Sequence, residues 1–252
     1  WSLRRRLRGT LGELGLDGAI FPVFTAARDI EAVGMSPAEG VRLSNPLSEE
    51  RAILRPSLLP RLVAAVGLAR RRGESRVRMF ELGAVFAPDD ASVLPRETTR
   101  VGIALAGPRD AWLERPEEVD FYDLKGLVEE LCERATGAAP RFVPSAEAPA
   151  WAHPRAAAEV WLGEVRVGTM GLLHPDVVTR ADLGRPALVA ELDAAALGVT
   201  LRTPQAKAPP RFPAVRRDVA LCVRRAVPAA DLVAALAALA GPFCTSVALF
   251  DR

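Results

Sequence analysis

Cysteine is scarce in this chain. Cys132, Cys222 and Cys244 stand far apart with no CxxC pair among them, which excludes a disulfide framework and a zinc ribbon and leaves reduced, mostly buried thiols as the expectation. Histidine is scarcer still. His153 and His174 are each followed by proline and have no carboxylates or thiols at ligand spacing, so both read as turn histidines and no metal site is expected. Long apolar runs are missing too: none reaches the roughly 18 to 20 residues that span a bilayer. The first stretch, WSLRRRLRGTLGELG, lacks the apolar core of a signal peptide. No membrane partner is expected, and the cytoplasm is the expected location. Lys125 and Lys207 are the only lysines, so arginine carries the positive charge, which coding bias explains as readily as function.

What remains is ordinary globular material, 50% hydrophobic and 25% charged over 252 residues, enough for one large and one small unit. The formal net charge of +2 is unevenly spread: the residues from Leu201 onward sum to +5 and the first 200 to −3. A basic C-terminal end attracts a polyanion, and a solvated charged face is the alternative reading.

The stretch from Asn45 to Phe86 organises the rest. Leu58, Leu62, Val66 and Ala69 recur at helical spacing in a helix predicted to begin near Ser57, whose hydroxyl can cap the first amides. Pro60 is tolerated in the first turn, Arg70, Arg71 and Arg72 suit the last, and Gly73 ends it. Val77 to Phe86 reads as a half-buried strand with Phe80, Leu82 and Phe86 on one face and Glu81, a carboxylate between two apolar residues, on the other.

Upstream, Leu3, Leu7, Leu11 and Leu14 form one stripe of a first helix that Gly15 ends. Gly18 to Phe24 reads as a strand in which Pro22 demands an edge or a bulge, and Arg28 to Glu39 as a loop. Downstream, Pro88 to Thr98 is a predicted loop and Arg100 to Ala106 a strand. Phe121, Leu124, Val128, Leu131 and Ala135 mark a helix with Asp120 as cap and Gly137 past its end. Ala157–Leu162 and Val165–Leu173 form a predicted hairpin turning at Gly163 and Glu164, and Ala187 to Leu192 a last strand. This succession predicts an α+β fold, an antiparallel sheet flanked by helices, over residues 1–199. Residues 200–210 read as a proline-rich linker, and 211–252 as strand, helix and strand, the first half of a ferredoxin-like unit.

The strings NPLSEE, LRPSLLP and FELGAVF, followed in order by YDLKG, WAHPRAAAEVWLG and GLLHPDV, resemble the class II synthetase-like module in the beta subunit of bacterial phenylalanine-tRNA ligase. RFPAVRRDVAL resembles the opening of the anticodon-binding domain that ends the same subunit. The resemblance implies a fragment of that subunit, without the upstream editing and metal-binding domains. It implies a catalytic alpha subunit as partner in a heterotetramer of two alpha and two beta chains, tRNA(Phe) as the other partner, and ATP and Mg2+ used by the whole ligase with no cofactor bound by this chain. It places the helix of Leu3, Leu7, Leu11 and Leu14 in the subunit contact, an ordinary core helix being the alternative reading. RNA contacts are expected at Arg211, Phe212, Arg216 and Arg217, where guanidiniums meet phosphates and a ring can stack on a base; Phe212 as a core residue is the alternative.

Adenylate formation needs cations against the alpha-phosphate. Active class II enzymes place one arginine after the motif 2 strand and another at a glycine-rich helix start. Here FELGAVF leads into Ala87, Pro88, Asp89 and Asp90, and the last strand into ELDAAALG, with neither arginine. No catalytic residue is therefore expected. A free-standing regulatory paralogue and a degenerate self-sufficient adenylating enzyme stay open beside the subunit reading.

Overall fold

The computed structural model describes residues 2–109, 117–199 and 211–250, which divide into two units at residue 205. That boundary falls in the stretch read as linker, whose residues 200–210 lie outside the described ones.

In the larger unit, helix α1 (Ser2–Glu13) stops before Gly15, which takes a positive φ of 78°. Its leucine stripe points inward. Leu7 and Leu11 are wholly buried and Leu3 and Leu14 pack partly buried against the same core, so the stripe serves the chain's own interior. Leu7 and Leu11 thus have no surface left for the subunit contact expected of them; their helix partner is α4 of the same chain (Phe121–Thr136).

The strand expected over Gly18 to Phe24 is split. Strand β1 (Asp17–Ala19) runs parallel to β5 (Val77–Ala87) at the edge of the main sheet, whereas β2 (Phe24–Thr25) belongs to a second sheet. Pro22, without an amide hydrogen, sits between them. The stretch expected as a loop, Arg28 to Glu39, instead carries most of α2 (Ala27–Ala32) and a 3-10 turn at Pro37–Glu39, opened by a capping box in which the Ser36 and Glu39 side chains each accept a backbone N–H. Strands β3 (Val41–Arg42) and β4 (Ile53–Leu54) complete the small antiparallel sheet in the order β2-β4-β3.

Helix α3 (Leu59–Arg71) carries Pro60 in its first turn. Strand β6 (Arg96–Ala106) starts earlier than its alternation suggested, because the hairpin with β5 stays in register out to Ala87↔Arg96. Helix α4 begins and ends as expected: Asp120 accepts from the Tyr122 and Asp123 amides, and Gly137 closes the last turn in the left-handed region. After it come β7 (Arg141–Pro144), β8 (Ala152–Leu162), β9 (Val165–Leu173), α5 (Pro175–Arg180), β10 (Leu188–Asp193) and α6 (Ala196–Val199). The main sheet has the order β1-β5-β6-β10-β9-β8-β7 and is antiparallel except at β1. One core joins α1, α4 and α6 to a face of this sheet, with Leu7, Leu124, Leu131 and Leu197 in it. The other core lies under α3 and α5, with Leu58, Leu62, Val66 and Val177.

The smaller unit departs from expectation. Helix α7 (Ala229–Leu239) forms after Pro228, but Arg211–Val223 and the stretch before Phe250 carry no strand ladder. A strand is stable only when its amides and carbonyls find a neighbouring strand. The described residues supply none here, and Val219, Leu221 and Phe250 stay exposed. Among the described residues the half ferredoxin-like sheet is thus not formed.

Of the cysteines only Cys132 meets the expectation of burial. Burial, with the charges of Glu133 and Glu129 behind it, pushes its thiol up to about 12, and the group is inert. Cys222 is exposed and Cys244 half-buried.

Candidate functional site

Across the main sheet, strand register sets Glu81 opposite Gly102, Gly102 opposite Glu191, and Glu191 opposite Thr169. Residues paired in this way share one face, and it is the face that α3 covers. This row of two carboxylates around a glycine is the polar centre of the unit.

Glu81 owes its place to Arg55, which follows β4. The Arg55 guanidinium donates two parallel hydrogen bonds to the Glu81 oxygens, both at 2.9 Å, and its Nε donates to the Ala84 carbonyl at 2.9 Å. The Phe21 amide adds a third donor to Glu81, on Oε1 at 3.2 Å. The two side chains are 2% and 3% exposed. A guanidinium so engaged is neutralised and cannot turn towards a phosphate.

Glu191 ties β10 to the start of α3. Its Oε1 accepts from the Leu58 amide at 2.6 Å and the Ser57 hydroxyl at 3.0 Å, while Ser57 Oγ accepts from the Leu59 amide at 3.0 Å. Burial raises the carboxyl pKa above the ordinary range, and the Leu58 amide, Arg100, Ser57 and Arg55 pull it back without cancelling the rise. A carboxyl with a raised native pKa holds its proton better folded than unfolded, so its contribution to stability is lost as pH rises from the unfolded value, roughly 4.3, through the native one. Glu191→Gln keeps an oxygen for Leu58 and Ser57. The variant is expected to unfold at the same or higher urea concentration than wild type at neutral pH, and to lose that part of the pH dependence in urea titrations from acid to neutral.

Hydrocarbon fills the space above Gly102. A methyl group there would come within 2.5 Å of Leu62 and 3.1 Å of Leu58, so these side chains rest directly on the strand. At the two places where a class II site needs arginine, the chain's own carboxylates stand. Asp89, just after β5, accepts from the Ala91 amide, and Asp193, ending β10, accepts from the Ala195 and Ala196 amides at 2.8 and 3.3 Å. The amides before and at the start of α6, which could otherwise meet an anion, are thereby occupied.

His153 lies not in a turn but near the start of β8, where the pairing with β9 is irregular, and His174 caps α5; each ring accepts at Nδ1 from a backbone amide two residues on, Arg155 and Asp176 respectively, at 3.2 Å. Among the described residues no group of three or more His, Cys, Asp or Glu is placed to hold a metal ion, and no helix is long and apolar enough to cross a membrane.

Arg211, Phe212, Arg216 and Arg217 lie together on one exposed segment of the smaller unit. Among the described residues Phe212 is 80% exposed. Sequence reasoning missed Arg55 and Glu191. Glu81 stood out only as a carboxylate between two apolar residues; its partner lies 26 residues away, and Ser57 and Glu191 are 134 apart.

Residues 1–194 match the family model described as the phenylalanyl tRNA synthetase beta chain CLM domain. The beta subunit of phenylalanine-tRNA ligase from Xylella fastidiosa is 43% identical over 215 residues, and that from Xanthomonas oryzae 40% identical over 215. Each alignment covers 84% of this chain and 27% of the relative, so the chain spans about a quarter of the length of these relatives. Pyrrolysyl-tRNA synthetase from Desulfitobacterium hafniense has a similar fold, with a TM-score of 0.60 at 17% identity, over 78% of this chain and 64% of that one. With its main sheet between two helical layers, the chain belongs to the phenylalanyl-tRNA synthetase beta chain CLM domain family.

Proposed function

We propose that the chain is the non-catalytic class II-like part of a beta subunit that supports a catalytic alpha subunit in the ATP-dependent phenylalanylation of tRNA(Phe). The observation that carries this reading is the closed substrate face: Leu58 and Leu62 rest on Gly102, and Arg55 is consumed by Glu81. Adenylate chemistry needs an open cleft with free guanidiniums. ATP and Mg2+ then act on the alpha subunit, in a cytoplasmic heterotetramer of two alpha and two beta chains. The basic smaller unit meets tRNA through Arg211, Phe212, Arg216 and Arg217, and its sheet forms when further strands of a ferredoxin-like unit pair with it.

The test is co-expression with the alpha subunit of the same source, size-exclusion chromatography with light scattering, and tRNA binding over a salt series. The two chains are expected to elute together. Arg216→Ala with Arg217→Ala should weaken tRNA binding and flatten its dependence on salt, by a slope of about 0.7 to 0.9 for each phosphate contact removed. A chain that elutes as a monomer beside the alpha subunit, or that alone catalyses amino-acid-dependent pyrophosphate exchange, overturns the proposal.

A further inference from the structure

A cavity of about 250 Å³ opens beside the start of α3, and the supporting role leaves it without a use. Met35, Leu59 and Pro149 give it apolar walls, and Glu39, Trp151 and Glu191 its polar ones. The hydrogen bonding at this place is incomplete. Glu191 Oε1 is occupied by Leu58 and Ser57, but its Oε2 has no donor among the described residues. Glu39 Oε1 accepts from the Ser36 amide, and its Oε2 likewise has no donor among the described residues. Trp151 is only 6% exposed, yet its indole N–H has no acceptor among the described residues. The indole N–H is not among the buried polar atoms that lack a partner, so it is open to whatever fills the cavity.

These groups line the cavity without a partner among the described residues, and together they describe a ligand. Two carboxylate oxygens call for a cationic donor, an indole donor calls for an acceptor, and the walls call for hydrocarbon. Arg55 is already neutralised by Glu81, and Arg100 attracts Glu191 from a distance without a hydrogen bond to it among the described residues. The volume lies below the roughly 300 to 1,000 Å³ of drug-sized pockets, so the ligand is small. We propose that this cavity binds a small primary ammonium compound with an apolar body and a carbonyl group. The ammonium donates to Glu191 Oε2 with Glu39 adding attraction, and the carbonyl accepts from the Trp151 indole.

The probe is leucinamide, titrated into the 252-residue chain at neutral pH by calorimetry and by NMR of the indole resonances, with that of Trp151 assigned by Trp151→Phe. One-site binding that shifts the Trp151 indole is expected. N-acetyl-leucinamide, which keeps the body and carbonyl but not the charge, should bind about tenfold or more weakly, as should leucinamide to Glu191→Gln. Glu39→Gln, at the exposed rim, is a second variant that also should weaken binding. No binding of leucinamide, equal binding of the acetylated probe, or undiminished affinity in the carboxylate variants overturns the proposal.

Discussion

Arg55→Met is expected to lower the free energy of unfolding by about 3 to 5 kcal/mol, the cost of removing one partner from a buried ion pair. The pair repays the dehydration of two charges only while both are present. In the variant Glu81 keeps the Phe21 amide as its single donor, and the Ala84 carbonyl loses its partner as well. Urea denaturation measures the loss, and a second variant decides its cause. Arg55→Met combined with Glu81→Leu leaves no unpaired charge, so it should recover much of the stability and fall well short of the sum of the single changes. Additive losses would mean that the two side chains contribute by packing alone.

The other large effect is expected at Gly107→Ala. Gly107 follows β6 with φ at 88°, where a Cβ would stand 1.8 Å from the Ser75 carbonyl oxygen and 2.8 Å from its carbon. The clash is with backbone, so relief requires moving the approach to β5. Left-handed geometry alone costs an L-residue roughly 1 to 2 kcal/mol, and displacing the hairpin brings the total to about 4 kcal/mol or more, in the exceptional range for one substitution. Gly15→Ala is the control. Gly15 has a similar φ of 78° with nothing within 4 Å of its added methyl group, so it should lose only the conformational part. Equal midpoints for the two variants in urea would remove the clash from the account.

The parts of the fold legible in the sequence are those whose signals are local. Asp120 and Gly137 bracket α4 because a cap and a left-handed stop act within one turn. The α3 stripe and the alternation around Phe80 were readable for the same reason. Ser36 and Glu39 carried an equally local signal, the S-x-x-E spacing of a capping box, hidden among loop-forming residues. The leucines of α1 disclosed that they would be buried but not against what, since periodicity is blind to whether the partner helix is in the same chain. The strands of the smaller unit failed because alternation describes a surface that still needs a neighbour to pair with. At the site, Glu81 announced itself as misplaced, whereas the link from Glu191 to Ser57 and Leu58 depends on register between β10 and the start of α3, which no local pattern records.

The strand order carries a consequence for how the chain folds. Strand β10 is the last strand of the sheet in sequence yet lies inside it, between β6 and β9. Until it arrives, the β5–β6 hairpin and the β7–β9 meander each present an unsatisfied inner edge, and nothing joins them. A nascent chain emerging from the ribosome therefore holds two half-sheets with open edges until residues 188–193 are free to insert. Closure through such distant contacts is slow compared with helix formation, and in that interval unpaired edges are where chains stick to one another.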